Sequence, residues 1–188
     1  MIGNRLGINF EAPAKTHSDK DPNLLPYTTV GDAILDIAGL NEKDIPNHIA
    51  LAHKPLVAER MSYVPEGGKL DLNTLPEHLQ NATRKDSKTG KVANYSHVYK
   101  RLDRNKPSTT MVPGHNAFPI HPTLNRTLTP REAARIQTFP DTLEFFGTRQ
   151  QQCIQAGNAV PPKMAEPFFK KINEYIEEFT KGNIGDEP

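Results

Sequence analysis

The sequence predicts an α+β chain: a small, irregular, mostly-β module followed by C-terminal helices. Three observations carry that expectation. Between residues 42 and 122 no long helical period appears; short apolar or β-branched pieces (Ser62–Val64, Val92–Tyr95, His97–Leu102, Ser108–Val112) alternate with turn residues such as Pro65-Glu-Gly-Gly68 and Lys88-Thr-Gly90. Thr129-Pro-Arg-Glu132 is built like a helix start, with a hydroxyl to cap, Pro at the first helical position and Glu three residues after Thr. After Pro162, apolar side chains recur at helical spacing.

In chain order, Met1-Ile-Gly-Asn-Arg-Leu-Gly-Ile8 opens on apolar residues with no preceding turn and reads as the middle of a strand. Residues 11–27 form an irregular loop broken by Pro13, Pro22 and Pro26. Thr29-Val-Gly-Asp32 starts a helix, Val30, Ala33, Ile34 and Ile37 fall on one side of it, and Gly39 stops it. The helix capped by Thr129 should run to about Gln137 and end at Phe139-Pro140-Asp141. Gly157-Asn158 reads as a turn ahead of the last helix, whose apolar face is Ala165, Phe168, Phe169, Ile172, Tyr175, Ile176 and Phe179. Pro167 removes a helix donor and sets either the start or a bend. From Lys181 the chain should be disordered.

Composition narrows the class. Of 188 residues 36% are hydrophobic, with 17 Pro, 12 Gly and no Trp, which suits a loop-rich chain with a modest core that leans on a partner. No apolar run is long enough for a membrane span, and no signal-peptide pattern opens the chain. A single Cys excludes an internal disulfide framework, so a reducing cytoplasm is the natural compartment. The net charge of +1 conceals a basic middle: residues 60–125 hold 10 Lys/Arg against 5 Asp/Glu, as suits a segment that meets phosphates or a merely solvated surface. The seven His show no metal-ligand spacing, so no metal is expected.

Two blocks, Arg126-Thr-Leu-Thr-Pro-Arg-Glu-Ala-Ala-Arg-Ile-Gln-Thr-Phe-Pro-Asp141 and Gln155-Ala-Gly-Asn-Ala-Val-Pro-Pro162, resemble motifs IX and X of the cytosine-5 DNA methyltransferases. Pro26-Tyr-Thr-Thr-Val-Gly-Asp-Ala-Ile34 is similar to that family's linker into its target-recognition domain. Tyr99-Lys-Arg-Leu102 and Lys106-Pro-Ser-Thr-Thr-Met111 are similar to the recognition region itself. The resemblance implies an architecture in which residues 1–41 end an α/β methyltransferase core and lead out of it, with residues 1–8 its edge strand. Residues 42–125 would form the target-recognition domain, residues 126–180 would return to the core, and residues 181–188 would be a tail.

It also implies sites. Asn158, Ala159 and Val160 would meet the methionine part of S-adenosyl-L-methionine. Arg101 and Arg104 would read bases or phosphates of double-stranded DNA, since Arg can bond guanine through two hydrogens. Thr110 and Met111 would lie beside the flipped nucleotide. Arg131, Glu132 and Arg135 would organise the recognition domain against the core, or be ordinary surface ion pairs. The family keeps its nucleophile in a Pro-Cys pair, which this chain lacks; Cys153 sits in Gln-Gln-Cys-Ile-Gln, in the wrong block, and is assigned to packing. The resemblance thus implies part of a restriction-modification methyltransferase, inactive alone. Its partner would be an N-terminal catalytic half, on the same chain or on a separate subunit. The alternative is a stand-alone, sequence-selective DNA-binding module without methylation activity.

Overall fold

A computed structural model describes residues 10–71, 74–80, 99–112 and 118–184. The strand expected at residues 1–8 and the piece Val92–Tyr95 lie outside the described residues. The chain divides into two units, Tyr27–Ala159 and Met1–Pro26 with Val160–Pro188.

The first unit holds α1 (Val30–Ile34), a 3-10 turn (Leu35–Ile37), α2 (Pro55–Ser62), α3 (Glu77–Gln80), α4 (Pro130–Ile136) and α5 (Arg149–Asn158). Local sequence explains most of these starts. Thr29 with Asp32, Thr129 with Glu132 and Thr148 with Gln151 each form a complete capping box, and Pro occupies the first turn of α2 and α4. The end of α4 is equally local: the Phe139 N–H donates to the Ala134 carbonyl at 2.9 Å and the Thr138 N–H to that of Arg135 at 2.8 Å. That is the Schellman pairing, with Thr138 in the left-handed position (φ 64°) usually given to glycine, and Pro140 follows it.

The core gathers Val30 and Ile34 of α1, Leu102, Met111 and Phe118, Leu128, Ala133 and Ala134 around α4, Phe145, and Cys153 and Ala156 of α5. α4 packs on both α1 and α5. A smaller cluster joins Met61, Val64 and Ile120, with Val57, Leu70 and Tyr99 against it.

The mostly-β expectation is not met among the described residues. Between them run single bridges only: His17 with Leu25, Lys69 with Lys100, Arg101 with Ile120, and Ile120 with Thr127. Ser62 ends a helix, and Ser108–Val112 pairs with nothing in a ladder. At Arg101 a side chain takes the place of a ladder: its guanidinium donates to the carbonyls of Val64, His121 and Leu124, and also to that of Met61, which the Val64 N–H already bonds.

The second unit contains α6 (Pro162–Ile184), which runs through Lys181, where disorder was expected. Pro167 lies inside it, costing one backbone donor without ending it. Phe10 stacks on Phe168 at 6.4 Å and meets Tyr175 at 5.8 Å between centroids, and the Glu11 N–H donates to the Tyr175 hydroxyl. Phe169, Ile176 and Phe179, on the expected apolar face, stay exposed, as does Met164. Among the described residues no helix is long and apolar enough to cross a membrane.

Candidate functional site

The motif IX helix is a buried polar node rather than a charged surface. Glu132 is fully buried; it accepts two hydrogen bonds from Arg126, both at 2.7 Å, and one from the Thr129 N–H at 2.8 Å. Burial pushes its carboxyl up, but the Arg126 guanidinium and the Thr129 amide outweigh that and hold it below the ordinary range. Arg131, also fully buried, donates to the carbonyls of Pro46 (2.8 Å), Pro140 (3.1 Å) and Leu143 (2.6 Å). Arg135 bridges Asp141 and Asp36, whose carboxylates raise its already high pKa. The three residues therefore tie α4 to three separate loops, and surface ion pairing is the wrong description for Arg131 and Glu132.

Asn47 was not picked out from the sequence. It sits at φ 64°, a region Asn tolerates better than most residues. Its side chain pairs with Phe145 as a strand would, donating to the carbonyl at 2.7 Å and accepting from the N–H at 2.9 Å. Gln155 and Gln152 of α5 hold the next two carbonyls, those of Phe146 and Gly147. Loop 140–147 is thereby fixed without regular structure, with Phe145 buried and Phe146 exposed.

Buried imidazoles line the approach to α4. His48 donates from Nε2 to the Ile37 carbonyl and accepts the Thr129 hydroxyl at Nδ1, each at 2.9 Å. His121 accepts the Thr123 and Leu124 N–H groups at Nδ1, both at 3.2 Å, so its proton sits on Nε2, 3.7 Å from Glu132. Burial pushes His121 down to about 4 against the pull of Glu132. His48 and His53 are lowered for the same first reason.

Motif X differs from the expected turn. Gly157 and Asn158 are the last residues of α5, which the sequence reading passed over although Thr148 and Gln151 signalled its start. Ala159 then leaves in extended conformation (φ −74°, ψ 149°). Asn158 is exposed, Ala159 half-buried and Val160 exposed. The opposite side of α5 is anchored: Cys153 and Ala156 lie in the core, and Gln137 donates to the Ala156 carbonyl. Cys153 is buried, and burial raises its thiol pKa.

The proposed DNA-contacting residues separate. Arg101 is 5% exposed and all five of its N–H donors are taken, by the four carbonyls above and by Asn125 Oδ1 at 2.7 Å. None is left for a base or a phosphate, so the sequence-based role for Arg101 is corrected to that of an internal tie. Met111 is likewise a core residue, where its apolar side chain is buried. Arg104 is exposed but forked onto Glu66 at 2.8 and 2.9 Å, and Thr110 is exposed. Among the described residues no cluster of His, Cys, Asp and Glu could hold a metal ion.

A profile of the C-5 cytosine-specific DNA methylase family matches residues 1–174. The chain is 34% identical over 177 residues to the type II methyltransferase M.NgoFVII of Neisseria gonorrhoeae, covering 92% of this chain and 44% of that protein. It is 37% identical over 175 residues to the type II methyltransferase M1.HphI of Haemophilus parahaemolyticus, covering 92% and 42%. The type II methyltransferase M.AquIB of Picosynechococcus sp. is 38% identical over 144 residues, covering 70% of this chain and 90% of that protein. The chain thus spans less than half the length of M.NgoFVII and M1.HphI but nearly all of M.AquIB.

Proposed function

Because the chain belongs to the C-5 cytosine-specific DNA methylase family, we propose that it supplies two parts of a DNA (cytosine-5-)-methyltransferase of a restriction-modification system. These are recognition of the duplex target, through residues 42–125, and completion of the S-adenosyl-L-methionine pocket. Residues 1–41 and 126–180 are read as parts of the catalytic core.

The end of α5 carries the cofactor half of this reading. The Asn158 amide is exposed and, among the described residues, has no partner; it can donate and accept at once, as the amino-acid end of the cofactor requires. Val160, 63% exposed, adds an apolar surface suited to the neighbouring thioether carbons. On these grounds Asn158, Ala159 and Val160 are read as the residues that would hold the cofactor. S-adenosyl-L-methionine supplies the methyl group when bound. In the whole enzyme a cytosine would leave the duplex stack, a cysteine thiolate would add to its sixth carbon, the fifth carbon would take the methyl group, and loss of the C5 proton with expulsion of the thiolate would restore the ring. Cys153 is read as a packing residue, since it lies in the core and outside any Pro-Cys pair. We assign the nucleophile to a catalytic half carrying Pro-Cys, in the same polypeptide or a separate subunit.

The experiment is methyl transfer to duplex DNA by this chain combined with a family catalytic half that bears Pro-Cys. Activity should appear only in the mixture. Asn158→Ala should lower it about tenfold or more, the loss of one well-placed hydrogen bond, while duplex binding is retained. A stand-alone DNA-binding module would instead gain no activity in the mixture and be indifferent to Asn158→Ala.

A further inference from the structure

With Arg101 internal, the contact that anchors the duplex backbone must come from other cations, and the bridge between Lys69 and Lys100 supplies them. The Leu70 N–H donates to the Tyr99 carbonyl and the Arg101 N–H to that of Gly68, both at 3.0 Å. Lys69 and Lys100 lie between these two bonds as an antiparallel, non-hydrogen-bonded pair, the geometry that brings opposed side chains closest. Leu70 and Tyr99 pack on the smaller apolar cluster and Arg101 is buried, so by alternation both lysines project from the other face.

Like charges directly opposite on a ladder are unfavourable. Among the described residues neither lysine forms an ion pair; of the acids near them in the chain, Glu66 pairs with Arg104 and Asp103 with Lys106, while Asp71 follows Lys69 by two residues. Lys69 is exposed and Lys100 half-buried, which limits how far the second can swing away from the first. An anion placed between them removes the repulsion and gains two charge-assisted bonds.

We propose that Lys69 and Lys100 form a phosphate clamp for the DNA backbone, fixing the recognition segment on the duplex without reading sequence. This rests on the duplex being the chain's partner. The clamp makes two phosphate contacts, each worth about 0.9 in the slope of log affinity against log salt.

The test is anisotropy of a labelled duplex of arbitrary sequence titrated with the full chain over a range of salt. Lys69→Gln combined with Lys100→Gln should flatten the slope by about 1.8 and weaken all sequences alike. Lys69→Arg with Lys100→Arg should restore it. Lys43→Gln with Lys54→Gln, exposed lysines elsewhere in the same unit, should leave it unchanged. Wild-type binding with an unaltered slope in the Lys69/Lys100 variant overturns the clamp and leaves the DNA reading standing. Failure of the wild-type chain to bind any duplex at low salt overturns both.

Discussion

At the residue scale, two arginines three positions apart do different work, and only their surroundings distinguish them. Arg101 meets four carbonyls and an amide oxygen inside the fold; Arg104 is forked onto one exposed glutamate. Arg101→Met should leave the Val64, His121 and Leu124 carbonyls without the donor they now have and lower stability by on the order of 3 kcal/mol or more. Chemical denaturation would register this as a large fall in midpoint, whereas Arg104→Gln should shift the midpoint little. If the two substitutions proved equally mild, the internal role of Arg101 would be wrong. The one-letter pattern offers no sign of this difference, because a surface base reader and a buried carbonyl tie demand the same guanidinium.

At the scale of elements, helix boundaries were set locally and helix docking was not. The boxes at Thr29, Thr129 and Thr148 need only residues three apart. How α1 docks depends on distant chain: the Val30 N–H donates to the Lys106 carbonyl and the Gly31 N–H to the Arg104 carbonyl, at 2.9 and 2.8 Å. A methyl on Gly31 would stand 2.8 Å from that same Arg104 oxygen. Gly31→Ala therefore opposes two effects. Helix propensity favours Ala by about 1 kcal/mol, but the contact forces a backbone shift costing roughly 1–3 kcal/mol. We expect a net loss of thermal stability; a variant more stable than wild type would show that α1 is not held against residues 104–106.

At the scale of the whole molecule, stability should depend on pH through the buried imidazoles. His121 binds a proton at about 4 in the folded chain and near 6.5 when unfolded. Between these values the unfolded chain holds the extra proton, so this stabilisation is complete above about pH 6.5 and is lost as pH falls toward 4. His121 alone accounts for on the order of 3 kcal/mol over that window, and the lowered His48 and His53 add in the same direction. Glu132 and Asp141, held below the usual carboxylate range, take over at more acid pH. Denaturation midpoints from neutral pH down to about 4.5 should decline, and His121→Asn, which keeps an acceptor for the 123–124 amides, should flatten the decline. A midpoint constant over that range would rule the account out.

The sequence by itself determined the family, through Arg126–Asp141 and Gln155–Pro162, and the starts of α1 and α4, because capping chemistry and motif order are written within a few residues of one another. It also marked α5, at Thr148 and Gln151, in a signal that went unread. Only the tertiary structure decided which polar residues face inward. Arg101, Arg131 and Asn47 find partners across gaps of up to about a hundred residues, and a chain that satisfies its loop carbonyls with side chains does so wherever the fold happens to bring a donor. The same holds for Lys69 and Lys100, which a single cross-strand bridge makes neighbours. Charge counting could locate a basic middle segment, but which of its cations are free to meet a phosphate depends on which carboxylates and carbonyls the fold has already given to the others.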